Sequence, residues 1–189
     1  MNSTTTPTTT NTTELSMSSG LSFFAQPYSL DARGFYFSDF EDYTAKAEAL
    51  RDSFGNPVEE FELQFIDGDA EEAELFTACG VNQATLEQFF DDVLTLDDHQ
   101  KPAFFYLTSV LNCSIEQAIE KIDEPSIYEG ELKDAAEELF DECYLSDIPE
   151  SVRNYIDYTA FARDCELGGD MTEFEFAGTT YTVTNAAYC

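Results

Sequence analysis

The chain is short of positive charge, has one histidine, has no paired cysteines and has no long apolar run. Only 8 Lys plus Arg stand among its 189 residues. That scarcity argues against a nucleic-acid binder, because phosphate contacts need clustered Lys and Arg. The same repulsion argues against an anionic membrane surface. No stretch reaches the roughly 20 apolar residues of a membrane span. The N-terminus shows no basic region followed by an apolar one, the pattern of a secretory signal. The five cysteines (Cys79, Cys113, Cys143, Cys165 and Cys189) are odd in number and form no C-x-x-C pair. They fit small buried residues in a reducing cytoplasm rather than a disulfide framework or a zinc site.

Catalytic signals are equally sparse. His99 lies next to Asp97 and Asp98, but no nucleophile motif accompanies it. It reads as an exposed polar residue before a helix. No glycine-rich phosphate loop is present. The segment Asp67-Gly68-Asp69-Ala70-Glu71-Glu72 opens like a calcium loop. It then departs: Glu72 stands at the turn glycine, and Ala78 stands at the bidentate glutamate. The sequence therefore points to no catalytic residue, no metal and no cofactor.

Acid and aromatics are abundant. There are 39 Asp plus Glu, a formal net charge of −31, together with 17 Phe and 10 Tyr. Highly charged chains that stay disordered are poor in aromatics, so this chain is expected to fold. It folds against its own electrostatic repulsion.

The pattern predicts an α+β protein of three small domains in an elongated array. Residues 1–32 read as a Thr/Ser-rich disordered tail, with an apolar end at Phe23, Phe24, Pro27, Tyr28 and Leu30. Residues 33–69 read as an α+β domain: a strand at Phe35–Phe37, a helix carrying Phe40, Tyr43, Ala47, Leu50 and Phe54, then a strand alternating Phe61, Leu63 and Phe65. Residues 70–124 read as an acidic helical bundle. Its central helix runs from Ala103 to Leu111, and Ser114-x-x-Gln117 caps the next helix. Residues 125–189 read as a second α+β domain. It has a strand at 126–128, an amphipathic helix from Leu132 to Cys143, one helix over about 150–166, and a hairpin turning at Ala177-Gly178.

A charge run is usually just a solvated helix face. Here almost every predicted element has one. The candidate partner-binding acids are Asp69, Glu71, Glu72 and Glu74 on the first helix of the bundle, and Glu87, Asp91 and Asp92 on the second. Asp97 and Asp98 precede the third, and Glu116, Glu120, Asp123 and Glu124 follow it. Glu137, Glu138, Asp141 and Glu142 lie opposite the apolar stripe of the 132–143 helix. Duplex DNA carries one charge per about 1.7 Å of axis, so some thirty carboxylates match the phosphates of roughly 50 Å of duplex. A rod of this kind would fit a protein groove made for DNA.

The stretch Tyr155-Ile156-Asp157-Tyr158, then Ala160-Phe161-Ala162-Arg163-Asp164, resembles the C-terminal signature of ArdA antirestriction proteins. The order of α+β unit, acidic helices and α+β end is similar too. The resemblance covers about residues 34–188. It implies a DNA mimic of a mobile element or phage, acting in a bacterial cytoplasm as a curved homodimer. Its expected partner is the methyltransferase core of a type I restriction-modification enzyme. It also implies a C-terminal dimer contact, for which Tyr155, Tyr158, Phe161 and Arg163 are the candidates. The Thr-rich extension lies outside the family pattern. Two alternatives share the acidic surface. One is a halophilic protein whose charge only keeps it hydrated; the other is an acidic partner of different basic DNA-binding proteins.

Overall fold

The computed structural model describes residues 20–189. Ser22–Pro27 forms a strand, β1, that pairs antiparallel with β2 (Phe35–Phe37) on one side and β3 (Phe61–Asp67) on the other. The expected tail boundary at residue 32 is therefore too late, since part of that segment is the central strand of a sheet. The remainder of the expected tail, residues 1–19, lies outside the described residues. The physical reason is visible at Phe23 and Ala25, which are fully buried. Phe23 packs against Phe37, Phe76 and Phe90 with ring centroids 5.3, 5.7 and 5.2 Å apart. Burying such a ring stabilises far more than a local bias toward disorder costs.

The helix α1 (Phe40–Ala49) covers the same face of the sheet through Tyr43, which meets Phe35, Phe37 and Phe61. Asp39 starts it, its carboxylate accepting the Asp42 amide at 2.7 Å. Phe54, expected on this helix, lies beyond its end and is exposed.

The middle of the chain is helical. In order come α2 (Ala70–Ala78), α3 (Leu86–Gln88), α4 (Gln100–Phe105) and α5 (Ile115–Glu120). Both α3 and α4 run on into single π-helical turns, Phe89–Val93 and Tyr106–Val110. The expected central helix is found there: Phe104 and Leu107 have no exposed surface. The capping box at Ser114 forms as predicted, with reciprocal bonds to Gln117 of 3.3 and 3.0 Å.

The last third holds β4 (Ile127–Glu129), α6 (Leu132–Cys143), α7 (Glu150–Arg153), α8 (Tyr158–Gly168), β5 (Thr172–Phe176) and β6 (Thr179–Val183). The strands form a second antiparallel sheet in the order β4-β6-β5. The helix expected over 150–166 is two helices. The Asp157 carboxylate accepts the Ala160 amide at 3.0 Å and starts a new helix there. An apolar stripe can run across such a break, so periodicity alone did not reveal it. Gly169, with φ of 78°, ends α8 in the left-handed conformation that glycine adopts without strain.

One apolar cluster joins the elements. It runs from Phe23 and Phe61 through Leu86, Phe89 and Phe104 to Phe174, Phe176 and Val183. Phe105 meets Phe176 in a tilted pair at 4.8 Å and stacks on Phe174 at 6.1 Å, tying the second sheet to α4. A smaller cluster, Ala136, Ala162, Cys165 and Met171, packs α6 against α8.

Because β1 sits at the centre of its sheet, Phe23→Ala should destabilise the whole chain. The expected loss is about 3–5 kcal/mol, read as a lower urea midpoint. A shift under about 1 kcal/mol would mean that the strand is dispensable.

Candidate partner-binding surface

The acidic faces follow directly from helix geometry. On α6, residues three and four apart share a side. Ala135 and Ala136 are buried, whereas Asp134, Glu138, Asp141 and Glu142 are exposed and Glu137 is half-buried. From residue 131 to 142 the helix rises about 16 Å, or about one charge per 3 Å. One DNA strand carries a charge per about 3.4 Å. Like-charged neighbours at these spacings each cost a helix about 0.2–0.5 kcal/mol. This face therefore weakens its own helix, and its presence needs a reason other than stability.

Few bases offset the acids. Among the described residues, four ion pairs form: Lys46–Asp42 and Lys101–Glu71 at 2.6 Å, Lys101–Asp98 at 3.1 Å and Lys121–Glu124 at 3.2 Å. Arg51 and Arg153 instead point at backbone carbonyls, of Glu48 and Leu50 for the first and Ile148 for the second. Most carboxylates of the described residues thus have no cation paired with them.

The structure sorts the sequence-derived acids into two kinds. Glu87, Asp91, Asp92, Glu116, Glu120, Asp123, Glu138 and Glu142 are exposed. Asp97 and Asp98 are exposed too, though Asp97 accepts the His99 and Gln100 amides and Asp98 meets Lys101. Three acids of α2 are only half-exposed and serve the fold. Glu72 accepts the Asp69 amide at 2.9 Å, closing a capping box with Asp69. Glu74 accepts the Ala177 amide at 2.9 Å and so pins the hairpin turn. Glu71 pairs with Lys101, whose pKa is raised, first by that hydrogen bond. The capping box was legible in the spacing Asp69-x-x-Glu72; the other two partners lie too far along the chain.

The four C-terminal candidates also divide. Phe161 packs inward on Phe140 and Tyr144, with centroids 5.0 and 6.3 Å apart. Tyr158 meets Phe140 edge-on and donates its hydroxyl to Asp141 at 2.6 Å. Tyr155 is 84% exposed, and Arg163, further along on α8, is exposed as well. Tyr144 and Val152, which are not among those four candidates, are also exposed apolar residues of this part of the chain.

Among the described residues no cluster of His, Cys, Asp and Glu is arranged to hold a metal ion. No helix there is long and apolar enough to cross a membrane. The family model described as antirestriction protein (ArdA) matches residues 32–178, most of the chain. No curated protein matches it.

The Tyr158–Asp141 bond should be visible in titration. The carboxylate accepts the phenol's proton and pushes the Tyr158 pKa up to about 12. Its stabilisation is therefore whole below pH 10, the ordinary tyrosine value, and is lost as pH rises through about 12. Ultraviolet titration of phenolate should lose a component near pH 12 in Tyr158→Phe. An unchanged curve would show that the bond does not persist in solution.

Proposed function

Because the chain belongs to the ArdA family of antirestriction proteins, we propose that it inhibits a type I restriction-modification enzyme by occupying the groove made for DNA. The observation that supports this reading is the excess of exposed carboxylates, on α3 with the π-helical turn that follows it, on α5 and on α6 above all, over the bases able to neutralise them. Each carboxylate set where a phosphate would lie meets a Lys or Arg of the groove and releases counterions. Inhibition needs no bond to be made or broken. The enzyme is held in a complex that contains no substrate. Association is fast and electrostatically steered.

The elongated three-domain array and the curved homodimer belong to the same reading. Supporting the dimer is the apolar surface left bare at the C-terminal end by Tyr144, Val152 and Tyr155, with Arg163 close in sequence. A second copy of the chain would cover it and extend the acidic surface. Phe161 and Tyr158 would then act by shaping that end from within the protomer.

A block reversal tests the function. Converting Asp134, Glu137, Glu138 and Glu142 of α6 to Lys leaves Asp141 to hold Tyr158. Inhibition of type I cleavage should weaken at least about tenfold, since several contacts turn repulsive together. Circular dichroism should show the fold kept. Full inhibition by the folded variant would remove α6 from the binding face.

A further inference from the structure

Helix α2 links the two sheets. It leaves β3 through Gly68 and Asp69, where Asp69 and Glu72 close the capping box. Its Phe76 meets Phe89 edge-on with centroids 5.4 Å apart, and Phe89 opens the π-helical turn that carries Asp91 and Asp92. Toward the second sheet, the half-buried Glu74 reaches a residue 103 positions away and accepts the Ala177 amide at 2.9 Å. From there β5 carries the connection onward. Its Glu173 accepts the amide of Leu132, the first residue of α6, at 2.7 Å. The acids after α3 and the acids of α6 are thus joined through the Glu74 bond.

The rings of Phe105, Phe174 and Phe176 join the same parts, but they do a different thing. Apolar contact is non-directional. It holds the second sheet close without fixing how that sheet is turned. A hydrogen bond weakens steeply as its angle opens, so the Glu74 bond sets a direction. The turn it holds is also strained. Ala177 has φ of 50° and Gly178 φ of 79°, both in the left-handed region. Glycine enters that region freely; alanine does so at a cost.

Direction matters for a surface read by a groove made for DNA. The phosphates of one strand lie about 3.4 Å apart. Turning the second sheet enough to move α6 by that distance puts its carboxylates one place out of step with Asp91 and Asp92. No exposed charge is lost, yet the two sets no longer fit one duplex path together.

We propose that Glu74 is a positioning residue for inhibition: it keeps the acids of α6 in register with those after α3, and does not itself meet the partner. The proposal rests on the reading above, in which those acids stand in for phosphates. Glu74 then matters as a hydrogen-bond acceptor and not as a charge, unlike the exposed acids around it.

Three variants set beside the wild type separate these roles: Glu74→Gln, Glu74→Ala, and Glu74→Ala combined with Ala177→Gly. Glutamine keeps an acceptor oxygen and loses the charge; alanine loses both. Glycine relieves the strain at position 177, so the double variant keeps the turn without the bond. In displacement of labelled duplex from a type I methyltransferase core, Glu74→Gln should stay within about twofold of the wild type. Both alanine variants should be weaker by about three- to tenfold. Should Glu74→Ala alone fail to fold, the double variant carries the comparison. Residual dipolar couplings, measured without the enzyme, should give β1–β3 and β4–β6 the same relative orientation in the wild type and Glu74→Gln, and a changed one in the double variant. Glutamine as weak as alanine would make Glu74 a charge contact. Full activity in the double variant would reduce its role to relieving the turn. Either result overturns the proposal, as does an unchanged orientation in the double variant. A wild type that displaces no duplex sinks the reading of function instead, and the couplings still decide whether Glu74 sets the placement.

Discussion

Self-repulsion is the constraint that the rest of this structure answers to. With 39 carboxylic acids and 8 bases, the acidic helix faces bring like charges together, and each such pair opposes folding. The continuous aromatic cluster from Phe23 to Phe176 is the counterweight. Its rings meet at 5–6 Å, often edge to face, and each buries a large apolar area for little lost side-chain freedom. The core is therefore rich in Phe because the surface is rich in Asp and Glu.

The same constraint explains how the few polar partners are used. Asp39, Asp69 with Glu72, and Asp157 start helices, where the helix dipole favours an anion and the carboxylate costs the fold least. Lys101 bridges α2 and the start of α4 through Glu71, and Glu74 fastens the β5–β6 turn. Charges with structural partners cluster where elements join. Those on the outer faces of α3, α5 and α6 are left to water, and so to any basic partner.

Much of this arrangement could be read from the sequence because it is local. The capping box at Ser114, the stripe of α6, the alternation of β3 and the hairpin at Ala177-Gly178 each depend on residues a few positions apart. What escaped depends on distant contacts. Phe23-Phe24 sets two aromatics side by side, which masks strand alternation, and its pairing with Phe61–Asp67 cannot be seen locally. The break before α8 hides within an unbroken apolar stripe, although Asp157 signals it in retrospect. Glu74 looked like one more surface acid, yet its partner lies at Ala177. The exposed acids were the most legible part of the candidate surface, because periodicity alone fixes which side of a helix faces water.

The central claim is that carboxylates and phosphates compete for the same cations. It is tested most directly by displacement of a fluorescent duplex from a type I methyltransferase core over a range of salt concentrations. The account predicts simple competition, with affinity for the protein falling linearly in log–log form as salt rises, as it does for DNA. A ternary complex with duplex still bound, or an affinity indifferent to salt, would contradict it.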